Sequence, residues 1–84
     1  MSAAQRILLV EDDDALAETL AEQLALHSEF SLTRAETAKQ ALEVTGSSRF
    51  DLILLDVGLP DQDGRETCKI LRTKGIATPI IMLT

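Results

Sequence analysis

"LILLDVGLPDQDG" (52–64) sets four consecutive apolar residues against a carboxylate, Asp56, and follows it with a loop rich in Gly, Pro and Asp. An apolar run of that length suits a strand buried on both faces of a parallel sheet. The acid at its end therefore has to meet something that offsets its charge. What that is depends on which other strand ends lie beside it, so the stretch is read outward from here.

On its N-terminal side, "RILLV" (6–10) is a second short apolar run, and it stops at "EDDD" (11–14). From Asp14 to Leu26, Leu16, Leu20 and Leu24 recur at helical spacing with Ala17 and Ala21 beside them, which predicts an amphipathic helix. "FSLTRA" (30–35) alternates apolar and polar in the period of a half-exposed strand. "ETAKQALEVTG" (36–46) reads as a short helix with Ala38, Ala41 and Leu42 inward and Gly46 as its stop.

On the C-terminal side, "GRETCKILRTKG" (64–75) reads as a helix between two glycines, and "PIIMLT" (79–84) as another strand, opened by Pro79 where a strand tolerates it. The order is β-α-β-α-β-α-β. Such alternation predicts a single α/β domain over 1–84, a parallel sheet with helices on both faces, because parallel strands need helical crossovers. In such a sheet the carboxyl ends of the strands share one edge, and ligands bind there. If the strands ending at Val10 and Asp56 are neighbours, Glu11, Asp12 and Asp56 converge.

Three carboxylates in one pocket repel unless a cation sits among them. Oxygen ligands, few in number, suit Mg2+, with Mn2+ as a substitute. A carboxylate held beside such an ion is a suitable acceptor for a phosphoryl group whose charge the ion neutralises. Other chemistries lack their residues. No Gly-rich dinucleotide or nucleotide cradle follows the first strand, and "EDDD" would repel a pyrophosphate. "DQDG" (61–64) lacks the remaining ligands of a calcium loop. A phosphatase pairing two aspartates would place an acid where Gly58 stands.

The residues "ILLVEDD" (7–13), "DLILLD" (51–56), "LPDQDG" (59–64) and "PIIMLT" (79–84), in that order, resemble the response-regulator receiver domain of bacterial two-component signalling. The resemblance implies a flavodoxin-like, doubly wound α/β sheet of strand order 2-1-3-4 and a phosphoacceptor at Asp56, served by a histidine kinase or a phosphotransfer protein. It implies that Asp12, Asp56 and the backbone carbonyl of Gly58 ligate Mg2+, that Glu11 supports the ion through water, and that Thr84 is the switch hydroxyl. It also implies a phosphoprotein switch, not an enzyme, feeding an output domain that regulates transcription. Domains of this family are about half as long again, so the fifth strand, the last helices and the lysine that meets the phosphate are expected to be missing from these 84 residues.

Composition narrows the partners. A net charge of −6 leaves no basic surface for nucleic acid or an anionic membrane, and the near absence of aromatics removes base stacking. No segment approaches the ~20 apolar residues of a membrane span, "MSAAQR" lacks a secretory h-region, and the lone Cys68 forms no internal disulfide, so a reducing cytoplasm is expected. Asp13 or Asp14 is expected to cap the first helix, Asp61 and Asp63 to be solvated loop residues, and His27 to be a surface residue. The apolar run Ile80 to Leu83 is expected to be buried in a homo-oligomer through its open edge, the alternative being a non-phosphorylated interaction module.

Overall fold

The computed structural model describes residues 4–83. In chain order the elements are β1 (Gln5–Val10), α1 (Asp14–Ala25), β2 (Phe30–Ala35), α2 (Ala38–Ser47), β3 (Leu52–Asp56), α3 (Gly64–Thr73) and β4 (Ile80–Leu83). All strand pairs are parallel, and the sheet order is β2-β1-β3-β4. The parallel pairing follows from the crossovers, each of which carries a helix from one strand back to the start of the next.

Strand alternation divides the apolar residues between the two sides of the sheet. Leu8, Val10, Ile53 and Leu55 point to one side, where Ala38 and Ala41 of α2 and Leu71 of α3 close over them with Phe50 and Leu59. Each large aliphatic side chain fully buried there contributes roughly 1.5–3 kcal/mol relative to exposure. The other side is less covered. Ile7 and Leu9 are buried, but α1 packs chiefly against β2, leaving Leu16 42% and Ile81 52% exposed.

Caps fix the helix boundaries. Asp13 caps α1, its Oδ1 accepting from Leu16 N at 3.1 Å, and Thr37 caps α2, its Oγ1 accepting from Gln40 N at 3.1 Å. Helix α3 does run between its two glycines. It ends as Gly75 enters the left-handed region at φ 84°, with Gly75 N donating to Arg72 O and Ile76 N to Leu71 O, a Schellman closure whose apolar residue, Ile76, joins the core.

Two expectations are corrected. Gly46 does not stop α2: the helix runs through it to Ser47, and Ser48 N still donates to Val44 O at 2.9 Å. A glycine in a helix costs only about 1 kcal/mol against alanine, less than the ladder and the buried Ala38 and Ala41 return. Nor does α2 begin at Glu36, because the Thr37 cap places its first turn at Ala38.

Candidate functional site

The strand register builds the site. Val10 lies opposite Leu55, so the next residue on each strand, Glu11 and Asp56, emerge side by side at the carboxyl edge. One ligand atom each from Glu11, Asp12 and Asp56 lie within 4.8 Å of one another. The convergence expected from the strand ends is present. Three hard oxygen donors gathered without a basic side chain among them fit a divalent cation of the Mg2+ class.

The three acids differ in setting. Glu11 is buried at 3% exposure, Asp56 is half-buried and Asp12 is exposed. Burial is the first cause that pushes the Glu11 carboxyl above its ordinary value of 4.5. The Asp56 charge and hydrogen bonds with Asp56 and Asp12 push it the same way, against the backbone N–H of Asp13, which donates to Glu11 Oε2 at 3.1 Å.

The loop after β3 is drawn tightly onto Asp56. Gly58 N donates to Asp56 Oδ1 at 3.2 Å, Gly64 N donates to Val57 O at 2.8 Å, and Val57 N donates to Leu83 O at 3.2 Å. Gly58 also bridges to Asp63 across the loop. At Gly64 a Cβ would overlap the Asp56 carbonyl oxygen and come within 2.9 Å of Val57 Cα, so only glycine lets the start of α3 pass this close to Asp56. Thr84, the switch residue of the sequence reading, lies outside the described residues.

Asp61 and Asp63 are open to solvent, as expected of loop acids, but each also ties the loop to a helix. Asp61 reaches across to α2, where Oδ1 accepts from Ala38 N at 2.9 Å and Oδ2 from Lys39 N at 3.0 Å, and these two N–H groups hold its carboxyl below the usual value. Asp63 caps α3 and pairs with Arg65 at 2.8 Å; hydrogen bonds from Arg65 bring its carboxyl down to about 2. The Asp61 tie escaped the sequence reading because its donors lie 22 and 23 residues away, whereas the Asp63 cap is local to the start of α3.

Arg34 was missed as well. From the end of β2, its Nε and Nη2 donate to the Glu11 carbonyl oxygen at 3.1 and 3.0 Å, and its Nη1 lies 2.9 Å from Asp14 and 3.5 Å from Glu36. The available signal was a cation late in a strand expected beside "RILLV". His27, beyond the end of α1, is exposed and 3.7 Å from Glu29, as expected of a surface residue. A groove of about 540 Å3 between α2, α3 and Asp61 contains none of the three converging acids.

The receiver-domain model of response regulators matches residues 7–84. This chain belongs to the response regulator receiver domain family. Response regulator MprA of Mycolicibacterium vanbaalenii is 40% identical over 79 residues, covering 94% of this chain and 34% of that protein. MprA of Mycobacterium avium gives the same 40% over 79 residues, again 94% of this chain and 34% of that protein. The chain thus spans 34% of the length of these curated relatives.

Among solved structures, the Francisella response regulator 1452 receiver domain aligns with a TM-score of 0.88 at 29% identity, covering 93% of this chain and 64% of that one. TrrA of Thermotoga maritima, solved in complex with Mg2+ and beryllium fluoride, aligns with a TM-score of 0.87 at 34% identity, covering 95% of this chain and 69% of that one. The receiver fold with strand order 2-1-3-4 is therefore shown. No helix among the described residues is long and apolar enough to cross a membrane.

Proposed function

We propose that this receiver domain accepts a phosphoryl group on Asp56 from the phosphohistidine of a histidine kinase or phosphotransfer protein. The observation that carries the reading is the meeting of Glu11, Asp12 and Asp56 at neighbouring strand ends. An Asp56 carboxylate oxygen attacks phosphorus in line, the P–N bond breaks with its electron pair going to the imidazole, and an acyl phosphate forms. Asp12, Asp56 and the Gly58 carbonyl hold Mg2+ or Mn2+, and Glu11 supports the ion through water. When bound, the ion neutralises charge on the carboxylate and phosphoryl oxygens.

The residues contribute position more than proton transfer. Gly58 N–H orients the Asp56 carboxylate, and Gly64 lets the loop close against it. The transfer rests on positioning and charge neutralisation, not on a general base. Thr84 is the switch that responds to the phosphoryl group, and the readout is transcriptional, through an output domain, in the cytoplasm. This segment makes no direct contact with DNA, in keeping with its net charge of −6.

The test is to expose the protein to Mg2+ with beryllofluoride, and separately to a small-molecule phosphodonor, and follow melting temperature and acyl-phosphate yield. Stabilisation by beryllofluoride only with Mg2+, and labelling confined to Asp56, are expected. Equal behaviour of wild type and Asp56→Asn would overturn the reading.

A second reading, self-association through β4, is favoured by Ile81, which is 52% exposed on a strand at the edge of the sheet. Sedimentation at micromolar concentration is expected to show a homo-oligomer, and a folded monomer would remove this reading.

A further inference from the structure

The ladder between β1 and β2 ends at Val10 opposite Ala35, and just beyond it Glu11 N still donates to Ala35 O at 3.0 Å. The Glu11 carbonyl is already past the last strand pair. Arg34 takes it up instead, with two N–H groups on the one oxygen. The same guanidinium pairs with Asp14, the first residue of α1, at 2.9 Å. One rigid fork thus spans the chain from Glu11 to Asp14 and holds the peptide that joins Glu11 to Asp12. Its side chain is 27% exposed, so this fork is partly shielded, unlike the exposed Lys69–Glu66 pair.

We infer that Arg34 is a positioning residue for the acidic pocket, fixing the Glu11–Asp12 peptide so that both side chains are aimed at Asp56 before an ion arrives. The inference rests on the Mg2+ site proposed above. Its strength as a test lies in sign. A positive charge close to a cation site repels the ion, so if Arg34 acted through charge alone, removing it would tighten Mg2+ binding. If it acts by holding the peptide, removing it loosens the site and weakens binding.

The experiment is calorimetric Mg2+ titration of the wild-type chain and of Arg34→Gln, Arg34→Lys and Glu36→Gln, with amide chemical shifts of Glu11 and Asp12 recorded without metal. Arg34→Gln is expected to weaken Mg2+ by about 10-fold, the lower end of what loss of a group orienting metal ligands costs. Arg34→Lys keeps the charge and loses the fork, and is expected to weaken binding too. Both should shift the Glu11 and Asp12 amides. Glu36→Gln, which touches the guanidinium but not the acidic loop, should leave affinity unchanged.

Tighter or unchanged binding in Arg34→Gln would overturn the inference while leaving the metal site intact. Should Arg34→Gln fail to fold, Arg34→Lys decides alone: wild-type affinity there means that the two-pronged hold on the Glu11 carbonyl is dispensable, and the inference falls. A wild-type chain that ignores Mg2+ would remove the site and this inference together.

Discussion

Glu11 and Asp63 are both acids near the carboxyl edge of the sheet, and their surroundings pull their protons in opposite directions. Glu11 is buried among other carboxylates, and its carboxyl is raised above 4.5. Asp63 is met by the side chain and backbone N–H of Arg65 and falls from 3.8 to about 2. Asp61 follows Asp63, its donors being Ala38 N and Lys39 N. The difference shows what marks a site in this fold. Asp61 and Asp63 meet N–H donors that hold loops in place, whereas Glu11, although it too accepts an N–H from Asp13, faces Asp56 and Asp12, and burial with those acids outweighs the donor.

The comparison breaks most sharply at Asp56. Asp56→Asn is expected to abolish phosphoryl labelling and to weaken Mg2+ by at least about 100-fold, as loss of a direct ligand should exceed the cost of losing an outer partner. Asp63→Asn should leave labelling within a few-fold of wild type. Acyl-phosphate assays on the two variants check this, and equal losses would erase the distinction between the two groups of acids.

Gly64 joins the groups, since it follows the Asp63 cap and touches the Asp56 backbone. Gly64→Ala is expected to cost about 1–3 kcal/mol, the range for overpacking a tight contact, because a Cβ meets main chain that has no rotamer to change. Denaturant unfolding measures it. A variant as stable as wild type would mean that the loop can retreat from Asp56.

Glu11→Gln tests the tension directly. A carboxyl whose value is raised by folding contributes fully to stability below about 4.5, the unfolded value, and loses that contribution as pH rises through the raised folded value. In its charged form Glu11 opposes the fold. The glutamine variant keeps an acceptor for Asp13 N–H and is expected, without metal, to melt a few degrees above wild type at pH 7 and together with it at pH 4. Melting curves at the two values check the sign.

The smallest effect is expected at Asp63, whose shift has the opposite direction. Its contribution is present above 3.8 and lost as pH falls toward about 2. Asp63→Asn should be less stable than wild type at pH 7, and the gap should close by about pH 2. Because the pair with Arg65 is exposed to solvent, added salt should narrow it as well.

Much of this molecule was legible as sequence. The apolar runs "RILLV" and "LILLD" located the central strands, and the rule that strand ends share an edge brought Glu11, Asp12 and Asp56 together. What escaped was every feature whose partner lies far along the chain and carries no pattern of its own. Asp61 was read from its neighbours as loop, but its donors belong to α2. Arg34 falls in phase with Phe30 and Leu32 on its strand and drew no reading of its own, and only the neighbouring β1 gives it a carbonyl to hold. Gly46 shows the limit of local punctuation, since a weak preference yielded to the packing of α2. The leucine stripe of α1 gave the face and not the depth, and Leu16 stays 42% exposed.

The register that brings Leu55 beside Val10 also sets the order in which the molecule can assemble. Strand β1 sits between β2 and β3, so the pocket requires a pairing that encloses two helices and a strand within one loop. Closing such a loop is among the slower steps available to a chain of this size. The pocket is therefore expected to form late in folding, once β1 and β3 have paired. In stopped-flow mixing, Mg2+ is expected to slow unfolding and leave the refolding rate almost unchanged. An acceleration of refolding would show that β1 and β3 pair early, with the ion helping to bring them together.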